Sequence, residues 1–195
     1  MEPLNRTELA GGFGFYTGRL PPELVPSRAQ FDELWALHPD DFHEIKMHGR
    51  LVKTPRWQQA YGEDYAYTGR VNRALPIPPL LAPLHAWCRE TLDARLNGLL
   101  LNWYDAADGH YIGKHRDSTR NMVEGAPIIT VSFGAARTFR LRPWRGAGFV
   151  DVATFDGAVF AMPYDTNKAF THEVPHHAAV SGRRISVTLR AFVED

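Results

Sequence analysis

A chain of 195 residues with 44% apolar and 23% charged residues can bury a sizeable core as one domain and is too short for two full ones. Its 22 basic residues balance its 22 acidic ones, which excludes attachment to nucleic acid or membrane by bulk positive charge and leaves only local basic patches. The single cysteine, Cys88, excludes an internal disulfide and a cysteine-rich zinc site.

In chain order, the N-terminal residues lack the apolar core of a signal peptide, and no segment reaches the length of a membrane span. A cytoplasmic protein without a membrane partner, acting as a monomer, is expected. Residues 13–16 form an aromatic run flanked by glycine, read as a strand or its approach. Ser27 then offers an N-cap to a helix carrying Phe31, Leu34 and Trp35 on one face, ended by His38-Pro39.

Two runs of alternating character flank His48-Gly49 and predict a β-hairpin. From Lys46 to Arg56 there are four basic residues and no acidic one, which suits either a solvated hairpin edge or phosphate contacts. Pro76 to Pro79 leads into a helix with Leu80, Leu81, Leu84, Trp87, Cys88, Thr91 and Leu92 on one side, where Cys88 reads as a buried, inert thiol. From Leu99 onward the chain turns to short β-rich runs: residues 127–134, 137–141, 149–155, 158–162 and 184–193. Six or more such strands suggest a sandwich or jelly roll. The expected division is residues 1–98 as lid and supporting helices and residues 99–195 as the β core, within one domain.

The stretch Leu99–Asp117 carries the chemistry. His115 and Asp117, two residues apart at the end of an extended segment, point to one side and supply two legs of a metal clamp. Of the later histidines, His172 follows an apolar strand and is the expected third ligand; His176 and His177 follow a proline. Two histidines and a carboxylate form the facial triad suited to non-haem Fe(II). Along residues 184–190, Arg184, Ser186, Thr188 and Arg190 share one face of a strand, and Ile185, Val187 and Leu189 the other. Buried arginines need anions, which a dicarboxylate co-substrate would supply. Asn102 and Tyr104 share a face and can donate to the same ligand.

The set Asn102-x-Tyr104, His115-x-Asp117, Pro127 to Gly134, His172 and Arg184-x-Ser186-x-Thr188-x-Arg190 resembles the AlkB family of Fe(II)/2-oxoglutarate-dependent dioxygenases, from about Met47 to the C-terminus. The resemblance implies an α+β fold: a double-stranded β-helix (jelly roll) with supporting helices and an N-terminal hairpin lid. It assigns iron to His115, Asp117 and His172. Arg184 with Tyr104 would hold the distal carboxylate of 2-oxoglutarate, Arg190 with Asn102 its oxalyl end, and Ser186 stands where the family carries Asn. The implied reaction couples O2 and oxidative decarboxylation of 2-oxoglutarate, giving succinate and carbon dioxide, to hydroxylation of a C–H bond. On an N-methyl group the hydroxymethyl product collapses to formaldehyde.

Residues 54–58, 61–62 and 65–69 resemble the lid of the branch that repairs alkylated duplex DNA, and Met47-His48-Gly49 falls at its finger. Met47, His48, Arg56 and Tyr67 are thus implied substrate contacts, as are Ser118 and Thr119 beside the metal ligands. Arg137, Arg140, Arg142 and Arg145 would suit phosphates. Where the repair enzymes continue with acidic residues after the metal aspartate, this chain reads Ser118-Thr119-Arg120. Alkylated nucleic-acid bases are the leading substrate, with a protein or small molecule as the alternative within the same chemistry, and a non-catalytic jelly-roll module as the alternative outside it.

Overall fold

Strict alternation along two neighbouring strands sets the architecture. The computed structural model describes residues 4–47, 49–67, 70–176 and 180–193, with backbone alone for Lys46, Met47, Tyr67 and Arg70. In chain order the strands are β1 (Asn5–Glu8), β2 (Gly14–Arg19), β3 (Glu44–Met47), β4 (Arg50–Lys53), β5 (Trp57–Tyr61), β6 (Tyr65–Tyr67) and β7 (Arg70–Asn72). There follow β8 (Gly98–Asp105), β9 (Ile112–His115), β10 (Ile128–Gly134), β11 (Thr138–Pro143), β12 (Val150–Ala153), β13 (Ala158–Met162), β14 (Phe170–Val174) and β15 (Arg183–Arg190). Three α-helices accompany them: α1 (Arg28–Trp35), α2 (Ala82–Thr91) and α3 (Tyr164–Ala169).

Seven strands pair antiparallel in the order β1-β2-β13-β10-β15-β8-β5, and four in the order β12-β11-β14-β9. The alternation of β8, β15 and β10 sorts their side chains between two faces. Leu99, Leu101, Trp103, Ile129, Val131, Phe133, Ile185, Val187 and Leu189 form the outer core with Phe31, Leu34, Leu84 and Cys88 of α1 and α2. Trp103, fully buried, donates its indole N–H to the Leu34 carbonyl at 2.9 Å and ties α1 to the sheet. The other face carries Tyr104, Asn102 and Leu100, paired in register with Arg184, Ser186 and Thr188. A second cluster, including Phe15, Phe139, Leu141, Phe160 and Phe170, closes the space between the sheets. This is the jelly roll expected from the late strands.

The division at residue 98 needs correction. β1, β2 and β5 belong to the same seven-stranded sheet as β8 and β15, so residues before 98 build part of the barrel wall. The reason is edge protection: β5 covers the free edge of β8 with Gln58 opposite Asn102, and β2 covers β13.

Local signals behave as read. Ser27 caps α1 in a reciprocal box: its hydroxyl accepts the Gln30 N–H at 3.4 Å, and its own N–H donates to Gln30 Oε1 at 2.9 Å. Ser27→Ala should lower stability by about 1 kcal/mol, measured as a shifted urea midpoint at unchanged slope. β3 and β4 form the predicted hairpin, with Gly49 at φ +80° in its turn; His48 lies outside the described residues. Cys88 is buried, and burial pushes its thiol up to about 12. No helix among the described residues is long and apolar enough to cross a membrane.

Candidate metal and co-substrate site

Between the two sheets, three cross-strand rows converge on one pocket. Its lining includes Asn102, Tyr104, His115, Asp117, His172, Arg184, Ser186 and Arg190, so every residue expected to hold metal or co-substrate reaches the same cavity. The rows explain this: β15 lies between β8 and β10, which places Ser186 beside Asn102 and Ser132, and Thr188 beside Leu100 and Thr130.

The metal ligands come from the smaller sheet. His115 on β9 sits opposite His172 on β14. Asp117 lies past the end of β9, not on the strand, so alternation alone does not aim it. Asn167 of α3 does: its Oδ1 accepts the Asp117 N–H and its Nδ2 donates to the Asp117 carbonyl, both at 3.0 Å. The ligand atoms of the triad all lie within 4.8 Å of one another. Asp117 Oδ1 is 3.6 Å from His115 Nε2 and 3.8 Å from His172 Nε2. His115 Nδ1 is 2.8 Å from the Gly113 carbonyl, which fixes the proton on Nδ1 and leaves the Nε2 lone pair for a metal.

Charge in this site is balanced by pairing. Burial opposes ionisation of Asp117, yet Arg190 and the two imidazoles outweigh it and hold the carboxyl well below its usual range. Both Arg190 Nη2 and Nε donate to Asp117 Oδ2, at 2.6 and 3.1 Å, which leaves Oδ1 toward the histidines. Burial, reinforced by the charge of His115, pushes His172 down to about 3, so its imidazole is neutral at physiological pH, the form that ligates metal.

Arg190 meets the metal carboxylate, because a fully buried guanidinium takes the buried charge already beside it. Arg184 is different. It is 1% exposed, its Nε donates to Ser132 Oγ at 2.8 Å, and Tyr104 lies with its ring centroid 5.1 Å from the guanidinium. Its Nη1 and Nη2 have no partner among the described residues. A buried cation with two free donors fits a carboxylate in bidentate geometry. Asn102 is engaged through its oxygen by Arg56 Nε at 2.8 Å, which leaves its NH2 as donor to the pocket.

The substrate residues scatter. Arg56 is buried, bonded to Asn102 and Gln58, and lines the inner pocket, so it supports the co-substrate wall. Arg140 pairs with Asp151 and Arg142 with Glu173, each across a strand neighbour, and Arg137 is buried. Of the four arginines expected to meet phosphates, Arg145 is exposed and has no carboxylate partner among the described residues. Ser118 and Thr119 are half-buried and line a neighbouring cleft with Lys114, Arg116, Trp144 and Lys168. The side chains of Met47 and Tyr67, and all of His48, lie outside the described residues. Asn167 and Ser132 join the site without any sequence signal, since their partners lie in distant segments, and Gln58 joins it through Arg56, two residues before it.

A jelly-roll cradle with two imidazoles and one carboxylate around a common point, beside a buried arginine with open donors, defines a mononuclear non-haem metal site with a carboxylate-binding pocket. Residues 32–190 match the 2OG-Fe(II) oxygenase superfamily. The chain is 29% identical over 160 residues to DNA oxidative demethylase ALKBH2 of Homo sapiens, covering 76% of this chain and 61% of that protein. It is 30% identical over 161 residues to DNA oxidative demethylase ALKBH2 of Mus musculus, covering 77% of this chain and 67% of that protein. The solved structure of OsALKBH1 superposes with a TM-score of 0.59 at 15% identity, over 96% of this chain and 99% of that one, which speaks to the fold. The chain belongs to the 2OG-Fe(II) oxygenase superfamily, in its AlkB family. The superfamily implies Fe(II), 2-oxoglutarate and O2, and the donor set fits them: a 2-His-1-carboxylate triad for the metal and the open Arg184 nitrogens for a carboxylate.

Proposed function

We propose that this protein is an Fe(II)/2-oxoglutarate-dependent dioxygenase that removes alkyl groups from nucleic-acid bases. The observation that carries the reading is the conjunction of the triad with the two unpartnered nitrogens of Arg184 in one buried pocket. The relatives named as DNA oxidative demethylases supply the substrate class, although the chain spans only 61% of the human one.

In this reading His115, Asp117 and His172 hold Fe(II), and Arg184 clamps the far carboxylate of 2-oxoglutarate with Ser132 fixing its guanidinium. Arg190 keeps Asp117 ionised and turned so that one oxygen is left for the metal. Arg56 holds Asn102 with its amide N–H groups available to the co-substrate. Iron and co-substrate together supply the oxidising power for C–H hydroxylation, and the chain supplies placement. The apolar wall of Ile112, Phe139, Phe160 and Val174 limits water at the reacting centre.

The test is a screen of Fe(II)-dependent 2-oxoglutarate turnover across methylated oligonucleotides, methylated peptides and small metabolites. Stimulation confined to the oligonucleotides is expected. Stimulation by peptides or metabolites and not by oligonucleotides would move the same chemistry to another substrate.

A further inference from the structure

The cleft beside the metal ligands carries charge and an aromatic surface that the reaction itself does not use. Lys114 and Arg116 lie on either side of His115 in the chain and line this cleft. Both are exposed, as is Lys168 on the facing helix α3. Lys168 lies 3.6 Å from Asp165, which is itself largely exposed. Among the described residues lining this cleft the sole carboxylate is Asp117, already bound to Arg190.

At the centre stands Trp144. It is 45% exposed, the placement expected of a surface that meets a partner rather than one filling a core. Its position is nonetheless fixed. The Trp144 N–H donates to the Ala169 carbonyl at 2.8 Å, and the Gly146 N–H closes the turn onto the Pro143 carbonyl at 3.2 Å. Arg145 in that turn has φ +59°, the left-handed region a side chain avoids, and no other non-glycine residue described does so. Arg116 lies over the indole, its guanidinium 4.0 Å from the ring centroid, and is anchored by donating from Nη1 to the Lys168 carbonyl at 2.9 Å. Arg145 approaches the same ring at 5.5 Å.

A rigid, half-open indole ringed by cations matches the two features of a single strand: phosphates at a regular spacing and bases with a free face. A base inside a duplex is stacked on both sides and cannot offer one to Trp144. We propose that this cleft is a docking track for single-stranded nucleic acid, with Trp144 stacking the base next to the one that reacts and Lys114, Arg116 and Lys168 meeting its phosphates. The inference rests on the nucleic-acid reading above and adds strandedness to it.

Anisotropy of a labelled single-stranded oligonucleotide and of the duplex of the same sequence, with the whole protein and neither metal nor co-substrate, tests this. The single strand should bind more tightly. Trp144→Ala should weaken its binding about 5- to 150-fold, and Trp144→Phe should restore most of it. Lys168→Gln should reduce the salt dependence of log K by about 0.7. Duplex binding as tight as single-strand binding, or unchanged affinity in Trp144→Ala, overturns the track. If that happens while formaldehyde is still released from a methylated oligonucleotide, the reaction assignment stands and this inference alone falls. If no oligonucleotide is bound or turned over, both fall.

Discussion

Arg184→Met is expected to eliminate co-substrate binding while leaving the free protein no less stable. The two effects diverge because Arg184 is a buried cation that, among the described residues, has no carboxylate partner and two unpartnered nitrogens. Burial also lowers its pKa, partly offset by Tyr104 beside it. An apolar chain of similar length removes that unfavourable burial in the absence of ligand. With 2-oxoglutarate bound, the same change deletes a charge-assisted clamp. Loss of one partner of a buried charged pair costs about 2–5 kcal/mol, or roughly 30- to 4,000-fold in affinity. Calorimetric titration of 2-oxoglutarate and thermal unfolding with and without it give both numbers. Wild type should gain melting temperature on adding co-substrate and the variant should not. An equal gain in both would remove Arg184 from the co-substrate site.

Asp117→Ala should be damaging in two ways. It deletes the one carboxylate of the triad, so Fe(II) uptake and metal-dependent turnover are expected to vanish. It also strands Arg190, which is 3% exposed and sends two donors to Asp117 Oδ2. Breaking a buried pair from one side costs about 3–5 kcal/mol, so the metal-free variant should show a much lower urea midpoint. A variant that loses metal but keeps full stability would mean that Arg190 finds another anion. Retained turnover would mean that Asp117 is not a ligand.

What the sequence made legible was whatever depends on short-range periodicity. Alternation along residues 184–190 put Arg184, Ser186 and Arg190 on the inner face, and the pairing of β15 with β8 bears that out. The capping box at Ser27 and the hairpin around Gly49 are likewise local, and each is written in a few adjacent residues. His172 stands apart from His176 and His177 in the sequence by preceding Pro175, and it lies within β14 opposite His115.

The rest depended on contacts between distant segments. Asn167 reaches Asp117 across 50 positions, and Arg56 reaches Asn102 across 46, and neither spacing leaves a pattern. The basic run ending at Arg56 suggested an exposed edge, yet Arg56 turns inward because the edge of β8 needs covering by β5. Nothing in the local pattern around Arg190 points to Asp117, 73 positions away. The structure lets one carboxylate serve both Arg190 and the metal, one oxygen to each. Arg140 and Arg142 meet Asp151 and Glu173 only because β11 lies between β12 and β14.

The central claim is that one pocket couples 2-oxoglutarate oxidation to removal of an alkyl group from a base. Its most direct test is the stoichiometry of a single reaction containing Fe(II), 2-oxoglutarate, O2 and an N-methylated oligonucleotide. Succinate and formaldehyde should appear in equal amounts, with one unmethylated base gained for each. Succinate formed at an unchanged rate with and without the oligonucleotide, and no formaldehyde, would contradict it.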